Sequence, residues 1–279
     1  MFANKTVAFI GSGTMAEAMI RGLLANEVLA PNQIIASGPR PERGRALEER
    51  HSIRTATDNR PAAEEADILI LAVKPQVLKD ILPEIRGQLR RQDLVLSILA
   101  GTPIERIANG LAHAAVARAM PNTPAQIGQG ITVWTVTPEV EAHQREQAQA
   151  ILASFGREIF VENEEYLDMA TALSGTGPAY VFLLMEAMID AGVHMGFSRR
   201  VATELVFQTM RGSVEYAEAS GRHVAELRNQ VTSPGGTTAE ALYHMEKGGL
   251  RTVISRGIWA AYQRSIALGR GQKHSEIEG

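Results

Sequence analysis

The segment that most constrains this chain is Val7-Ala8-Phe9-Ile10-Gly11-Ser12-Gly13-Thr14-Met15-Ala16. Four consecutive apolar residues read as a strand buried on both faces, the pattern of a parallel sheet. Two glycines follow, and a helical pattern begins at Thr14. In such a strand–turn–helix unit the first glycine makes the tight turn and the second lets a pyrophosphate approach the backbone. Ala16, where a third glycine often stands, is small enough for close helix–strand packing, and the free N–H groups at the helix start face the phosphates. A glycine pair alone carries little weight. Its place between a strand and a helix, at the head of an alternating series, points to a dinucleotide site over Gly11, Ser12, Gly13, Thr14 and Met15.

The series continues through the first half of the 279 residues. Strand-like runs at Gln33–Ser37, Asp67–Val73, Leu94–Leu99, Ala115–Ala119, Ile131–Val136 and Arg157–Val161 are separated by helix-length stretches at Thr14–Val28, Pro41–His51, Pro75–Gln88 and Glu139–Ser154. This predicts an α/β domain over residues 1–163, a Rossmann-like, doubly wound and mostly parallel sheet. From 164 to 279 the pattern is all-α. Tyr180–Gly192, Arg199–Ser220 and Leu250–Leu268 have helical spacing, with Ser198 as an N-cap. Gly269–Gly279 is polar and reads as a frayed tail.

The helical half carries a heavy apolar load, including Phe182, Leu183, Leu184, Met185, Met188, Ile189, Leu205, Val206 and Phe207. A helix apolar nearly all round needs cover on both sides, which an interlocked homodimer supplies; burial within one chain is the alternative. With a net charge of −3 there is no basic excess to serve nucleic acid, and the apolar run Ile68–Val73 is far too short to span a bilayer. The chain has no cysteine, so it has no disulfide, thiolate ligand or thiol nucleophile. The N-terminus lacks a signal-peptide pattern, and a cytoplasmic location is expected.

The end of the second strand, Ala36-Ser37-Gly38-Pro39-Arg40, lacks the acid that usually holds the ribose 2′-OH of NAD. Ser37 and Arg40 instead offer a hydroxyl and a fixed charge suited to a 2′-phosphate, which favours NADP(H), with NAD(H) possible. Asn59 could add a contact at the adenosine end. Two further turns leave strand ends: Ala72-Val73-Lys74-Pro75, and Met120-Pro121-Asn122, whose amide has the donor and acceptor that a nicotinamide carboxamide requires. Ala100, just beyond Leu94–Leu99, joins the cofactor set.

Alcohol dehydrogenation needs a base, usually lysine or histidine. No lysine occurs between Lys79 and Lys247, and His194, His223 and His244 stand in no glycine-rich or strand-end motif. Glu186 and Asp190 are spaced as a solvated helix face, and no His/Asp/Glu spacing suits a metal. What remains in the second half is two glycine-rich turns, Leu173–Tyr180 and Val231–Glu240. The second, Ser233-Pro234-Gly235-Gly236-Thr237-Thr238, gathers hydroxyls and backbone N–H groups that suit a small carboxylate. An iminium substrate fits this poverty of bases, because a protonated C=N needs positioning more than a base to accept hydride.

On these residues the chain resembles pyrroline-5-carboxylate reductases. The resemblance covers nearly its whole length: Gly-x-Gly-x-Met-Ala at 11–16, Ala-Val-Lys-Pro at 72–75, Met-Pro-Asn-Thr-Pro at 120–124, Ser-Gly-x-Gly-Pro-Ala-Tyr at 174–180 and Val-x-Ser-Pro-Gly-Gly-x-Thr at 231–238. Thr14 and Thr176 depart from the asparagine and serine common there, which bears only on cofactor detail. The resemblance implies reduction of L-1-pyrroline-5-carboxylate to L-proline by hydride from NAD(P)H, and a helical domain that dimerises, with decamers as pentamers of dimers. It further implies that Ser174 and Gly175 line the substrate site. Ser233 and the N–H groups of Gly235, Gly236 and Thr237 would hold the carboxylate, and Thr238 would bond the ring nitrogen and relay its proton. Alternatives are a reductase of a related cyclic imine, a 3-hydroxy-acid dehydrogenase-like enzyme, and a non-catalytic NADP(H) sensor.

Overall fold

The computed structural model describes residues 1–271. An eight-stranded sheet has the order β3-β2-β1-β4-β5-β6-β7-β8. Its strands are β1 (Val7–Ile10), β2 (Ile34–Ser37), β3 (Arg54–Ala56), β4 (Ile68–Leu71), β5 (Leu94–Ser97), β6 (Val116–Met120), β7 (Gly130–Val136) and β8 (Gly156–Phe160). Helices α1 (Thr14–Ala25), α2 (Pro41–His51), α3 (Asn59–Glu65), α4 (Leu78–Ile85), α5 (Ile104–Leu111) and α6 (Ala142–Ala153) alternate with them. β1 through β6 are parallel, β7 runs antiparallel to β6, and β8 pairs parallel with β7. The reversal has a simple cause: the connection from Pro121 to Gln129 holds a 3₁₀ turn and is too short for a helical crossover.

Alternation along β1 sends its side chains to two separate cores. Val7 and Phe9 join Met19, Ile20, Leu23, Ile151 and Phe155 beneath α1 and α6. Ala8 and Ile10 join Leu78, Leu82, Ile85, Ile107 and Leu111 beneath α4 and α5. Both faces are covered, which is why the central strands read as unbroken apolar runs.

The second half is helical: α7 (Glu165–Ala170), a π turn at Thr171–Gly175, α8 (Gly177–His194), α9 (Arg199–Ser220), α10 (Val224–Gln230), α11 (Thr237–Lys247) and α12 (Leu250–Gly269). Ser198 caps α9, its hydroxyl accepting from Val201 N–H. The stretch Leu173–Tyr180 is therefore not the turn its glycines suggest; it stays helical, with π geometry over the first part. The helical run Glu165–His194 is, by length and composition, long and apolar enough to cross a membrane.

By packing, the chain divides into one compact unit of Met1–Thr176 with the segment from Ala261 onward, and a second of Gly177–Ala260. Of the polar tail, residues beyond 271 lie outside the described part. The sequence reading missed β3, α3 and α5. β3 is three residues long, opens on a charged residue and forms the sheet edge, so it has no apolar run to reveal it.

Candidate active site

The carboxyl ends of the parallel strands bring the cofactor candidates to one edge of the sheet, with β1 between β2 and β4 at the point where strand order reverses. Gly11 N–H donates to Ser37 O at 2.9 Å, and Ala72 N–H donates to Ile10 O at 2.8 Å, so the turn hangs between its neighbours. Gly11 has φ +105°, and a Cβ there would lie 2.6 Å from Ala72 O; both facts demand glycine. Gly13 differs: a Cβ there would meet nothing within 4 Å. The space beside it is open, and α1 starts without a side-chain cap, leaving first-turn N–H groups available. An open approach to uncapped amides at a helix N-terminus fits a pyrophosphate.

Toward the adenosine end the structure corrects one expectation. Ser37 is fully buried, and its hydroxyl donates to Asn59 Oδ1 at 2.7 Å. The same amide donates from Nδ2 to Glu84 Oε2 at 2.9 Å. Ser37 thus orients Asn59 instead of offering its hydroxyl to a phosphate. Arg40, at the N-terminus of α2, is exposed and makes no ion pair among the described residues. Gly38 lies against Ser12: a Cβ there would fall 2.4 Å from Ser12 Oγ, so a side chain would require that hydroxyl to rotate away. Lys74 is exposed, and Ala72, Val73, Pro75 and Ala100 are half-buried.

Asn122 is also committed within the protein: Nδ2 donates to Ser174 O at 3.2 Å, and Oδ1 accepts from Ile131 N–H at 3.0 Å. It ties the π turn to the start of β7. Ser174 Oγ bonds back to Ala170 O, and a Cβ on Gly175 would press 2.6 Å from Met120 Cε. Ser174 and Gly175 therefore pack the π turn against the end of β6. Short π segments recur at functional sites.

A charged hub braces the glycine turn. Glu17, in the first turn of α1, receives Arg43 Nη2 at 2.5 Å, Arg50 Nη1 at 3.0 Å and His51 Nε2 at 3.2 Å. Burial alone would push its carboxyl up, but the hydrogen bonds from Arg43, His51 and Arg50 outweigh it and bring the pKa down to about 2.

In the helical unit, Ser233–Thr238 forms a turn at the N-terminus of α11, with Gly235 at φ +72°. Gly236 N–H donates to Ser233 O at 3.0 Å, so it closes the turn and is not free for a carboxylate, contrary to the expectation. A Cβ at Gly236 would lie 2.4 Å from Ser233 Oγ, so a side chain there would turn that hydroxyl away from its present position. The hydroxyls of Ser233, Thr237 and Thr238 and the N–H groups of Gly235, Thr237 and Thr238 have no partner among the described residues. Six donors at one uncapped helix start suit a carboxylate.

A family model described as pyrroline-5-carboxylate reductase dimerisation matches residues 164–268, and one described as NADP oxidoreductase, coenzyme F420-dependent, matches residues 6–101. The pyrroline-5-carboxylate reductase of a Synechocystis strain is 41% identical over 264 residues, covering 95% of this chain and 98% of the relative. This chain belongs to the pyrroline-5-carboxylate reductase family. Two solved structures agree. The Plasmodium falciparum pyrroline carboxylate reductase with NADP bound superposes with a TM-score of 0.89 at 31% identity, covering 96% of this chain and 100% of that one. The Coxiella burnetii pyrroline-5-carboxylate reductase gives 0.87 at 35% identity, covering 97% and 99%.

Sequence reasoning missed Glu17, Arg43, Glu84 and Gly38. The first two belong to a hub whose members span 34 residue positions, from Glu17 to His51. Only the acid in the first turn of α1 and the basic residues of α2 hinted at it.

Proposed function

We propose that this chain reduces L-1-pyrroline-5-carboxylate to L-proline, with NADPH as hydride donor and NADH as the alternative. The observation that carries this is the membership of nearly the whole chain in the reductase family, together with the unpartnered donors of the Ser233–Thr238 turn. When bound, the reduced nicotinamide supplies hydride to the C=N carbon. Gly11, Gly13, Thr14 and Met15 hold the pyrophosphate at the start of α1, and Arg40 and Asn59 serve the adenosine end. Ser233 with the N–H groups of Gly235 and Thr237 holds the substrate carboxylate. Thr238 hydrogen-bonds the ring nitrogen with its hydroxyl, fixes the imine plane and, once hydride has reached carbon and left a neutral amine, relays to that product nitrogen a proton drawn from water. Fixed donors cost no reorganisation as charge shifts, so little else is required of the protein.

Residues 1–163 form the cofactor domain in this reading and 164–279 the dimerisation and substrate domain. The functional unit is a homodimer, assembled further as a pentamer of dimers in the cytoplasm. Apolar surface left open on α8 and α9 supports the dimer. A 3-hydroxy-acid dehydrogenase would place a catalytic lysine on this helix, and α8 carries none.

Purified protein should show pyrroline-5-carboxylate-dependent loss of NADPH absorbance; no loss under any cofactor would refute the reading. Thr238→Ala should lower kcat by about 100-fold, in the range of a lost proton-transfer or oxyanion-type donor. NADPH affinity should hardly move, and an unchanged kcat would remove the role given to Thr238.

A further inference from the structure

We infer that Arg43 is a positioning residue that presets the Ser12–Gly13 peptide for the dinucleotide, acting from α2 through Ser12 and Glu17. The inference rests on the cofactor reading above and deepens it. Arg43 Nε donates to Ser12 O at 2.8 Å while Nη2 of the same guanidinium reaches Glu17 Oε2. A trans peptide places its C=O and N–H on opposite sides. Fixing Ser12 O toward Arg43 therefore turns Gly13 N–H the other way. That N–H has no partner among the described residues, and the flank of Gly13 is the open one.

The next peptide is held from the same residue pair. Glu17 N–H donates to Gly13 O at 3.0 Å, so Glu17 anchors the turn with its backbone and Arg43 with its side chain. Arg50 and His51 complete the carboxylate's bonding and leave Arg43 a fixed acceptor. A glycine at 13 has wide backbone freedom, and without the fork this peptide could rotate. Ordering it before the ligand arrives removes a cost from binding.

The guanidinium has both of its bonded edges committed to protein acceptors and lies mostly buried, which sets it apart from Arg40, exposed and without an ion pair among the described residues. Arg40 answers to the 2′-phosphate alone; Arg43 acts on the pyrophosphate turn that NADPH and NADH share. The two arginines thus differ in what they discriminate.

The test is titration of the full-length protein with NADPH and with NADH, following cofactor fluorescence, for wild type, Arg43→Met, Arg43→Lys, Glu17→Gln and Arg40→Met. Arg43→Met should weaken both cofactors by a similar factor, about 10-fold, the size of one charge-assisted hydrogen bond. Arg43→Lys should fall between, because one ammonium cannot reproduce the fork. Glu17→Gln should weaken both cofactors by a smaller common factor. Arg40→Met should weaken NADPH alone. Loss of NADPH binding only in Arg43→Met, unchanged binding in that variant, or tighter NADPH binding in Glu17→Gln would overturn the inference. If Arg43→Met does not fold, Glu17→Gln decides. Wild type that binds neither cofactor would instead refute the cofactor reading itself.

Discussion

The two compact units differ in how they are stabilised. The sheet unit closes its own interior: β1, β4 and β5 are buried along their whole length, with helices on both faces. The helical unit has almost no interior. Among its apolar residues only Ala202 and Val206 are buried, while Phe182 is 61% exposed, Leu183 67% and Phe207 48%. Two open apolar grooves lie along α8 and α9. The larger, about 610 Å³, is lined by Phe182, Leu183, Ile189 and Phe207 among others, and the smaller, about 310 Å³, by Met188, Leu205 and Val206. Helix α8 is apolar around most of its circumference, yet α9 covers one side only. One unit is a finished fold; the other is half of one, and its match to a dimerisation family names what completes it.

The largest test of this contrast is a charge placed in the open face. Leu183→Glu should abolish the dimer, because an unpaired carboxylate in a desolvated interface costs several kcal/mol. Sedimentation should show monomer, and circular dichroism should show helix loss with the sheet unit retained. A variant that stays dimeric would refute the placement of this face at the interface.

A second test acts inside the finished unit. Arg118 is 4% exposed on β6 and pairs with Glu164 at 2.6 Å and Asp168 at 3.5 Å; Asp168 also accepts from Ser265 of α12. Glu164 in turn accepts from Ile104 N–H at 2.8 Å. One buried cation thereby fastens α7 and the end of α12 to the sheet. Arg118→Met should cost about 3 kcal/mol in denaturant unfolding, at the lower end for a broken buried pair because both acids are partly solvated. A change below measurement would show that the network contributes nothing net.

The smallest effect concerns pH. Glu17 has a folded pKa below its unfolded value, so its contribution to stability is complete above the ordinary glutamate range and is lost as pH falls toward about 2. Asp67 shifts the same way: burial raises its pKa, but Thr6 N–H, Lys5 and Arg90 lower it further. Stability should therefore decline from about pH 4.5 downward. Glu17→Gln should flatten that decline, and an identical acid limb in the variant would exclude Glu17 as a source.

The sequence made the sheet legible because strands buried on both faces leave unbroken apolar runs such as Ile68-Leu69-Ile70-Leu71. It made Gly11 legible because a positive φ leaves few residues to choose from. It did not reveal what depends on long-range contact. Ser37 looked like an open hydroxyl and is instead sealed against Asn59, a residue 22 positions away. Gly236 looked like a carboxylate donor, yet its N–H closes its own turn. Asn122 carried the right donor and acceptor, and both are used by neighbours that only folding brings near. The apolar load of α8 was visible in the sequence; that one chain leaves it open was not.

The most direct test of the contrast between the two units is sedimentation equilibrium of the wild-type chain over a wide concentration range, with unfolding followed at each concentration. The account predicts a dimer or a multiple of dimers, with helix stability rising with concentration. A folded monomer with concentration-independent helix stability would contradict it.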